Sequence, residues 1–181
     1  GSVAICKTPE LLRMLLASGM NAGATLTRAA QRFVHPLLLE SLGATPVYGG
    51  MWADEGGEPH DVFGHLDPAQ NADVMAMVPA TANALAKLAH GLADDMASTQ
   101  ALAFGGPFVI APAMNQRLWE APATRENWEI LKRRGCICIE PGLGCMACGE
   151  EGRGRLPDIE EILYHVLRAV GPGDLKGRRV L

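Results

Sequence analysis

Leu11, Leu12, Leu15 and Leu16 recur at helical spacing behind Thr8-Pro9-Glu10. That tripeptide offers a capping hydroxyl, a proline suited to the first helical position and an acidic first-turn side chain. Gly19 supplies a left-handed stop, so the pattern predicts a helix ending there. A short strand pattern over 22–26 precedes a second cap at Thr27 and a helical run to Leu42, which Pro36 should kink or split. Val74 to Val78 and Phe108 to Ala111 are short continuous apolar runs, as in strands buried on both faces. Residues 83–90 and 94–104 read as helices divided by Gly91, and 124–134 as a helix with a basic last turn that Gly135 ends. Cys136 to Ile139 predicts a further strand and 158–170 a final amphipathic helix. Two stretches lack any apolar period: the acidic, Gly-rich 49–64, read as a long loop, and 142–154, whose five glycines predict a mobile loop. Strands alternating with helices imply βαβ units around a mostly parallel sheet, an α/β fold with helices on both faces.

Composition narrows the possibilities. The 181 residues suffice for one domain, and 48% apolar with 20% charged residues is globular composition. A net charge of -4 argues against a general nucleic-acid binder. No run approaches the ~18–20 apolar residues of a membrane span. No charged-then-apolar leader opens the sequence, and five cysteines in such a chain read as reduced thiols, so a cytoplasmic protein is expected.

In an open parallel sheet, ligands bind at the carboxyl ends of the strands, where helix N-termini present free N–H groups to anions. Three stretches fit that place: Gly1-Ser2-Val3, Thr27, and Pro79-Ala80-Thr81-Ala82-Asn83. Each can equally be an ordinary helix cap. Ala111-Pro112-Ala113-Met114-Asn115 repeats the device, and Asn115 could cap a short helix or offer its amide to a carboxylate. His35, His90 and His165 fall in helical runs; His60 and His65 lie in or beside the polar loop, a reasonable place for an acid/base group. Cys136-x-Cys138 and Cys145-x-x-Cys148 could supply four thiolates to zinc, but the first pair lacks ligand spacing and its alternation suits two small apolar residues on one strand face. No metal is expected. Cys148 is the reactive thiol on this reading, with Arg153 and Arg155 nearby in sequence to favour thiolate.

Taken together, these stretches resemble the flavin-containing cysteine decarboxylases, close to the phosphopantothenoylcysteine decarboxylase branch. The likeness is carried by 1–7, Thr27 through Phe33, Gly64-His65, Ala72-Asp73, Pro79 to Asn83, Gly91-Leu92-Ala93-Asp94-Asp95, Pro112-Ala113-Met114-Asn115, Ala147-Cys148-Gly149 and Gly152-Arg153-Gly154-Arg155. It implies a Rossmann-like flavoprotein fold, FMN as cofactor, and a trimer-based homo-oligomer, a trimer or a dodecamer built from trimers. The implied reaction converts 4'-phospho-N-pantothenoylcysteine to 4'-phosphopantetheine and CO2 through a thioaldehyde and an enethiolate. By the resemblance, His65 is the base or orienter, Cys148 the proton donor, and Asn115 with Met114 the substrate-binding pair. Gly1, Ser2, Val3, Thr27, Ala80, Thr81, Ala82, Asn83 and Ala113 would line the FMN site.

Two departures stand out: Leu118 where the pattern has methionine, and Pro68 three positions after His65 where an apolar residue is usual. Residues 1–170 are expected to form the FMN-binding domain, with a strand ahead of Gly1. Residues 171–181 would be a linker and the entry to a fused phosphopantothenate–cysteine ligase domain. Competing readings are a peptidyl-cysteine decarboxylase, a flavin prenyltransferase, or a non-catalytic FMN-binding regulatory subunit.

Overall fold

A computed structural model describes residues 1–51, 65–145 and 149–171. Ser2 opens a 3-10 turn over Val3–Lys7, its Oγ accepting from the Ala4 N–H at 3.4 Å, and the turn runs straight into α1, Thr8–Ala17. The cap therefore falls on Ser2 rather than Thr8. An extra turn carries the chain past Thr8, whose hydroxyl is buried without a hydrogen-bond partner among the described residues. Gly19, at φ 82°, takes the left-handed stop.

The strand expected over 22–26 contracts to β1, Ala24–Thr25. Thr27 caps α2, Arg28–Gln31, and Pro36 opens α3, Pro36–Ser41, splitting the helical run as its ring dictates. His35 caps α3 through Nδ1 rather than lying within a helix. β2, Val47–Tyr48, pairs parallel with β1. After α4, Asp67–Asn71, come β3, Met75–Ala80; α5, Ala82–His90; α6, Met96–Ala103; β4, Phe108–Pro112; α7, Gln116–Glu120; α8, Pro122–Arg133; and β5, Ile137–Cys138. Gly91, at φ 68°, ends α5. β3, β4 and β5 form a parallel sheet in that order.

Alternation along β4 sends its residues to two cores. Val109 and Ala111 meet Leu11, Ile159, Ile162 and Val166, while Ile110 meets Leu85, Ala89, Trp128 and Leu131. Helices thus cover both faces of the sheet, and β4 is buried as its apolar run requires. β3 differs from the expected doubly buried strand: Ala76 is exposed and Met75, Met77 and Val78 are half-buried. Among the described residues it pairs with β4 on one side.

The loop expected over 142–154 is also corrected. Gly142–Cys145 and Glu151–Arg155 pair antiparallel as β6 and β7, before α9, Ile159–Val170. Backbone ladder bonds, not an apolar side-chain period, build this hairpin. Its residues 146–148 lie outside the described residues, as do 52–64 and 172–181. The expectations for His60, Cys148 and the ligase entry therefore fall where the structure describes nothing. Among the described residues, no helix is long and apolar enough to cross a membrane.

Candidate functional site

The chain turns that follow the parallel strands gather small residues and hydroxyl caps. At the ends of β3 and β4, the Ala113 N–H donates to the Ala80 carbonyl at 2.9 Å, joining two of the expected cofactor positions. The ladder shifts register between Met77 and Ala80, an irregularity of the kind that re-aims a strand end. Ala80 and Ala113 are buried, so what they can offer a ligand is backbone. Thr81 caps α5, its Oγ1 accepting from the Ala84 N–H at 3.2 Å, and exposed Asn83 stands in the first turn after Ala82. Thr27 Oγ1 does the same for Ala30 at 3.2 Å.

In each cap the hydroxyl oxygen accepts through one lone pair, leaving its O–H able to donate outward. The first N–H groups of α5 have no partner within the helix and add donors beside Thr81. The 3-10 turn that starts at Val3 packs against β3. A Cβ on Gly1 would sit 2.8 Å from the Ala29 carbonyl oxygen, so only glycine permits that approach to α2. Gly1, Ser2, Val3, Thr27 and the β3–α5 turn therefore belong to one neighbourhood. Its shape, backbone with little side-chain bulk and several outward donors, suits a phosphate-bearing ligand.

Behind this neighbourhood Lys87 of α5 binds Asp94 at 2.6 Å and Asp95 at 2.5 Å. Asp95 also closes a capping box with Ser98 at the start of α6. Burial would raise the Asp95 carboxyl, but hydrogen bonds from Lys87 and Ser98 outweigh it and hold the carboxyl below its usual range. Thus Asp94 and Asp95 clamp the α5–α6 turn. The Asp95-x-x-Ser98 spacing carried that signal.

Asn115 joins two functions that the sequence left as alternatives. Its Oδ1 accepts from the Arg117 N–H at 2.8 Å and caps α7, while its Nδ2 donates to Glu150 Oε2 at 2.5 Å. Met114 is fixed beside it, its N–H donating to the Gly154 carbonyl of β7 at 2.9 Å. The end of β4 and the β6–β7 hairpin are thereby one unit. His65 stands on the turn before α4, which packs on α6.

A second carboxylate hub lies past β5. Glu140 Oε1 accepts from Trp128 Nε1 at 3.0 Å and from Lys132 Nζ at 2.8 Å, with Arg125 and Arg153 each 4.0 Å from Oε2. Burial pushes the Glu140 carboxyl up, and the Lys132 and Trp128 bonds more than reverse that. Cys136 and Cys138 pack into the α5–α8 core, where burial raises both thiols, Cys138 to about 12 with Cys136 as the second cause. Neither Glu140 nor Glu150 carried a local signal: Glu150 meets Asn115 across 35 residues.

Comparison with known proteins places this geometry. The Flavoprotein family matches residues 1–171. The coenzyme A biosynthesis bifunctional protein CoaBC of Bacillus subtilis (strain 168) is 39% identical over 163 residues, 90% of this chain and 39% of that protein. The chain thus spans less than half the length of the bifunctional relatives it matches. A protein of Streptococcus mutans serotype c named probable phosphopantothenoylcysteine decarboxylase is 37% identical over 168 residues, 92% of each chain. Among solved structures, a cysteine-to-serine mutant of PPC decarboxylase complexed with pantothenoylaminoethenethiol superposes with a TM-score of 0.79 at 27% identity, covering 92% of this chain and 91% of that one. The FMN-dependent cysteine decarboxylase SpaF superposes with a TM-score of 0.75 at 31% identity, covering 94% and 93%.

Proposed function

The chain belongs to the flavoprotein family, and from that premise we propose that it binds FMN and decarboxylates 4'-phospho-N-pantothenoylcysteine to 4'-phosphopantetheine. The observation that carries the reading is the Asn115 amide, held by the α7 cap and already donating to the carboxylate of Glu150, which directly precedes β7.

The glycine approach at Gly1 and the hydroxyl caps at Ser2, Thr27 and Thr81 fit FMN. Ser2, Thr27, Thr81 and the Ala82 and Asn83 N–H groups would hold its phosphate; Val3, Ala80 and Ala113 would wall the ring. When bound, FMN supplies a reversible two-electron sink, which an ordinary cysteine carboxylate lacks. Asn115 orients the substrate carboxyl group for departure, and Met114 packs beside it. His65 takes the proton of the oxidative half, and Cys148 returns one to carbon after CO2 has left. The hairpin, tied to Met114 through Gly154, keeps water from the reacting carbon.

The reading extends to a cytoplasmic, trimer-based homo-oligomer, with residues 171–181 leading into a fused ligase domain. Exposed Phe33, Leu37 and Leu38, clustered on and before α3, are an apolar patch that a subunit contact would cover. The test is mass spectrometry of the FMN-loaded protein with phosphopantothenoylcysteine, and with cysteine-ending peptides as control. Loss of one CO2 from the phosphorylated acid alone is expected. No loss, or equal loss from the peptides, would overturn the substrate assignment.

A further inference from the structure

The group assigned to the substrate's carboxylate already holds one. Glu150 Oε2 accepts from Asn115 Nδ2 at 2.5 Å, and Oε1 forms a looser ion pair, 3.6 Å from Nη2 of the largely exposed Arg117 guanidinium. Asn115 cannot freely turn its amide away, because Oδ1 is committed to the Arg117 N–H and that bond fixes where Nδ2 points. Amide and guanidinium together therefore make a small anion seat at the start of α7. Glu150 reaches it as a tethered ligand: it directly precedes β7, and β7 is anchored to the end of β4 by the bond from Met114 to Gly154. Glu150 itself lies outside the β6–β7 ladder, whose last pair is Cys145 with Glu151, so hairpin pairing does not require its side chain at Asn115. The Glu150 side chain is 45% exposed, so water can receive it when it leaves.

We propose that Glu150 is an intramolecular competitor for the substrate carboxylate, holding the Asn115–Arg117 seat and yielding it when the acid binds. This rests on the reading of Asn115 as the substrate-carboxylate residue. Exchanging one carboxylate for another leaves the charge of the seat unchanged, so the acid enters without adding charge to it. Once CO2 has departed, the product has no group for the seat, and the return of Glu150 favours release. Glu150 thus sets affinity for the acid and leaves affinity for the decarboxylated product alone. It acts through Asn115 as a positioning residue.

The test titrates two unreactive compounds into FMN-loaded protein by calorimetry. One is 4'-phospho-N-pantothenoylserine, which keeps the carboxylate and lacks the thiol; the other is its decarboxylated ethanolamine counterpart. Glu150→Ala should bind the acid about tenfold more tightly than wild type, the scale of one hydrogen bond to a charged group. Glu150→Gln, which still accepts from Asn115 but lacks the charge, should show a smaller gain. The ethanolamine compound should bind all three proteins within about twofold of one another. An unchanged or weaker affinity for the acid, or equal shifts for both compounds, would make Glu150 a strut of the hairpin and overturn the proposal. Failure of wild type to release CO2 while it still binds the acid would instead overturn the functional reading alone. If wild type bound neither compound, both would fall.

Discussion

The two roles of Asn115 can be separated by Asn115→Asp. Aspartate caps a helix about as well as asparagine, so the bond from the Arg117 N–H to the side-chain oxygen survives and α7 should form normally. The donor on the other side of the side chain is lost. With it goes a hydrogen bond to a charged partner, about 2 kcal/mol, and a carboxylate now opposes the incoming carboxylate. The site is partly open, as the exposure of Glu150 indicates, so the repulsion belongs near the aqueous limit, about 1 kcal/mol at ~4 Å. Because Asn115 already donates to Glu150 before the acid binds, the lost hydrogen bond falls on both states and the repulsion is what remains, about 1 kcal/mol of lost transition-state binding or about fivefold in kcat/KM. The assay is CO2 release under kcat/KM conditions with a thermal melt in parallel. The melt should fall by several degrees, about what loss of the ~2 kcal/mol bond to Glu150 does in a chain of this size, with the cap intact. Asn115→Ala should lose the cap as well, costing a further ~1 kcal/mol of stability. Wild-type kcat/KM in the aspartate variant, or a melt as low as that of the alanine variant, would refute the division of labour.

Three further outcomes follow from the same contacts. Asp95 and Glu140 are held below their usual carboxyl range, so each contributes stability that is whole above about pH 4 and lost as pH falls through its folded value; Asp95→Asn and Glu140→Gln should flatten the acid limb of the melting curve, and an unaltered limb would contradict this. With its thiol raised to about 12, Cys138 is about one part in 10^4 thiolate at pH 8 and should resist iodoacetamide until the protein is unfolded, whereas exposed Cys6 reacts; equal rates in the folded protein would count against the burial argument. Thr81→Val should weaken FMN binding about tenfold and cost ~1 kcal/mol of stability, with Thr81→Ser recovering both; an unchanged FMN affinity would remove Thr81 from the phosphate site.

The parts of the fold that were legible are those whose signals are local. Thr27, Thr81, Pro36, Gly19 and Gly91 mark element ends because a hydroxyl cap, a proline ring or a left-handed glycine acts within one turn of chain. The β4 run reads as doubly buried because each face meets a different helical core. β3 has the same apolar pattern, yet among the described residues Ala76 is exposed and its neighbours are half-buried; what covers a strand is set by topology, which its own residues do not encode. The β6–β7 hairpin was hidden because its glycines pair by backbone and leave no side-chain alternation. For the site, Asn115 was legible as a cap or a carboxylate donor, and it is both. Glu150 was not, because its role arises only when the hairpin folds back across 35 residues.

The proposed chemistry requires the flavin as its electron sink. Protein stripped of FMN and reconstituted in steps should release CO2 from phosphopantothenoylcysteine in proportion to the FMN bound, starting from none. Undiminished CO2 release by the stripped protein would contradict it.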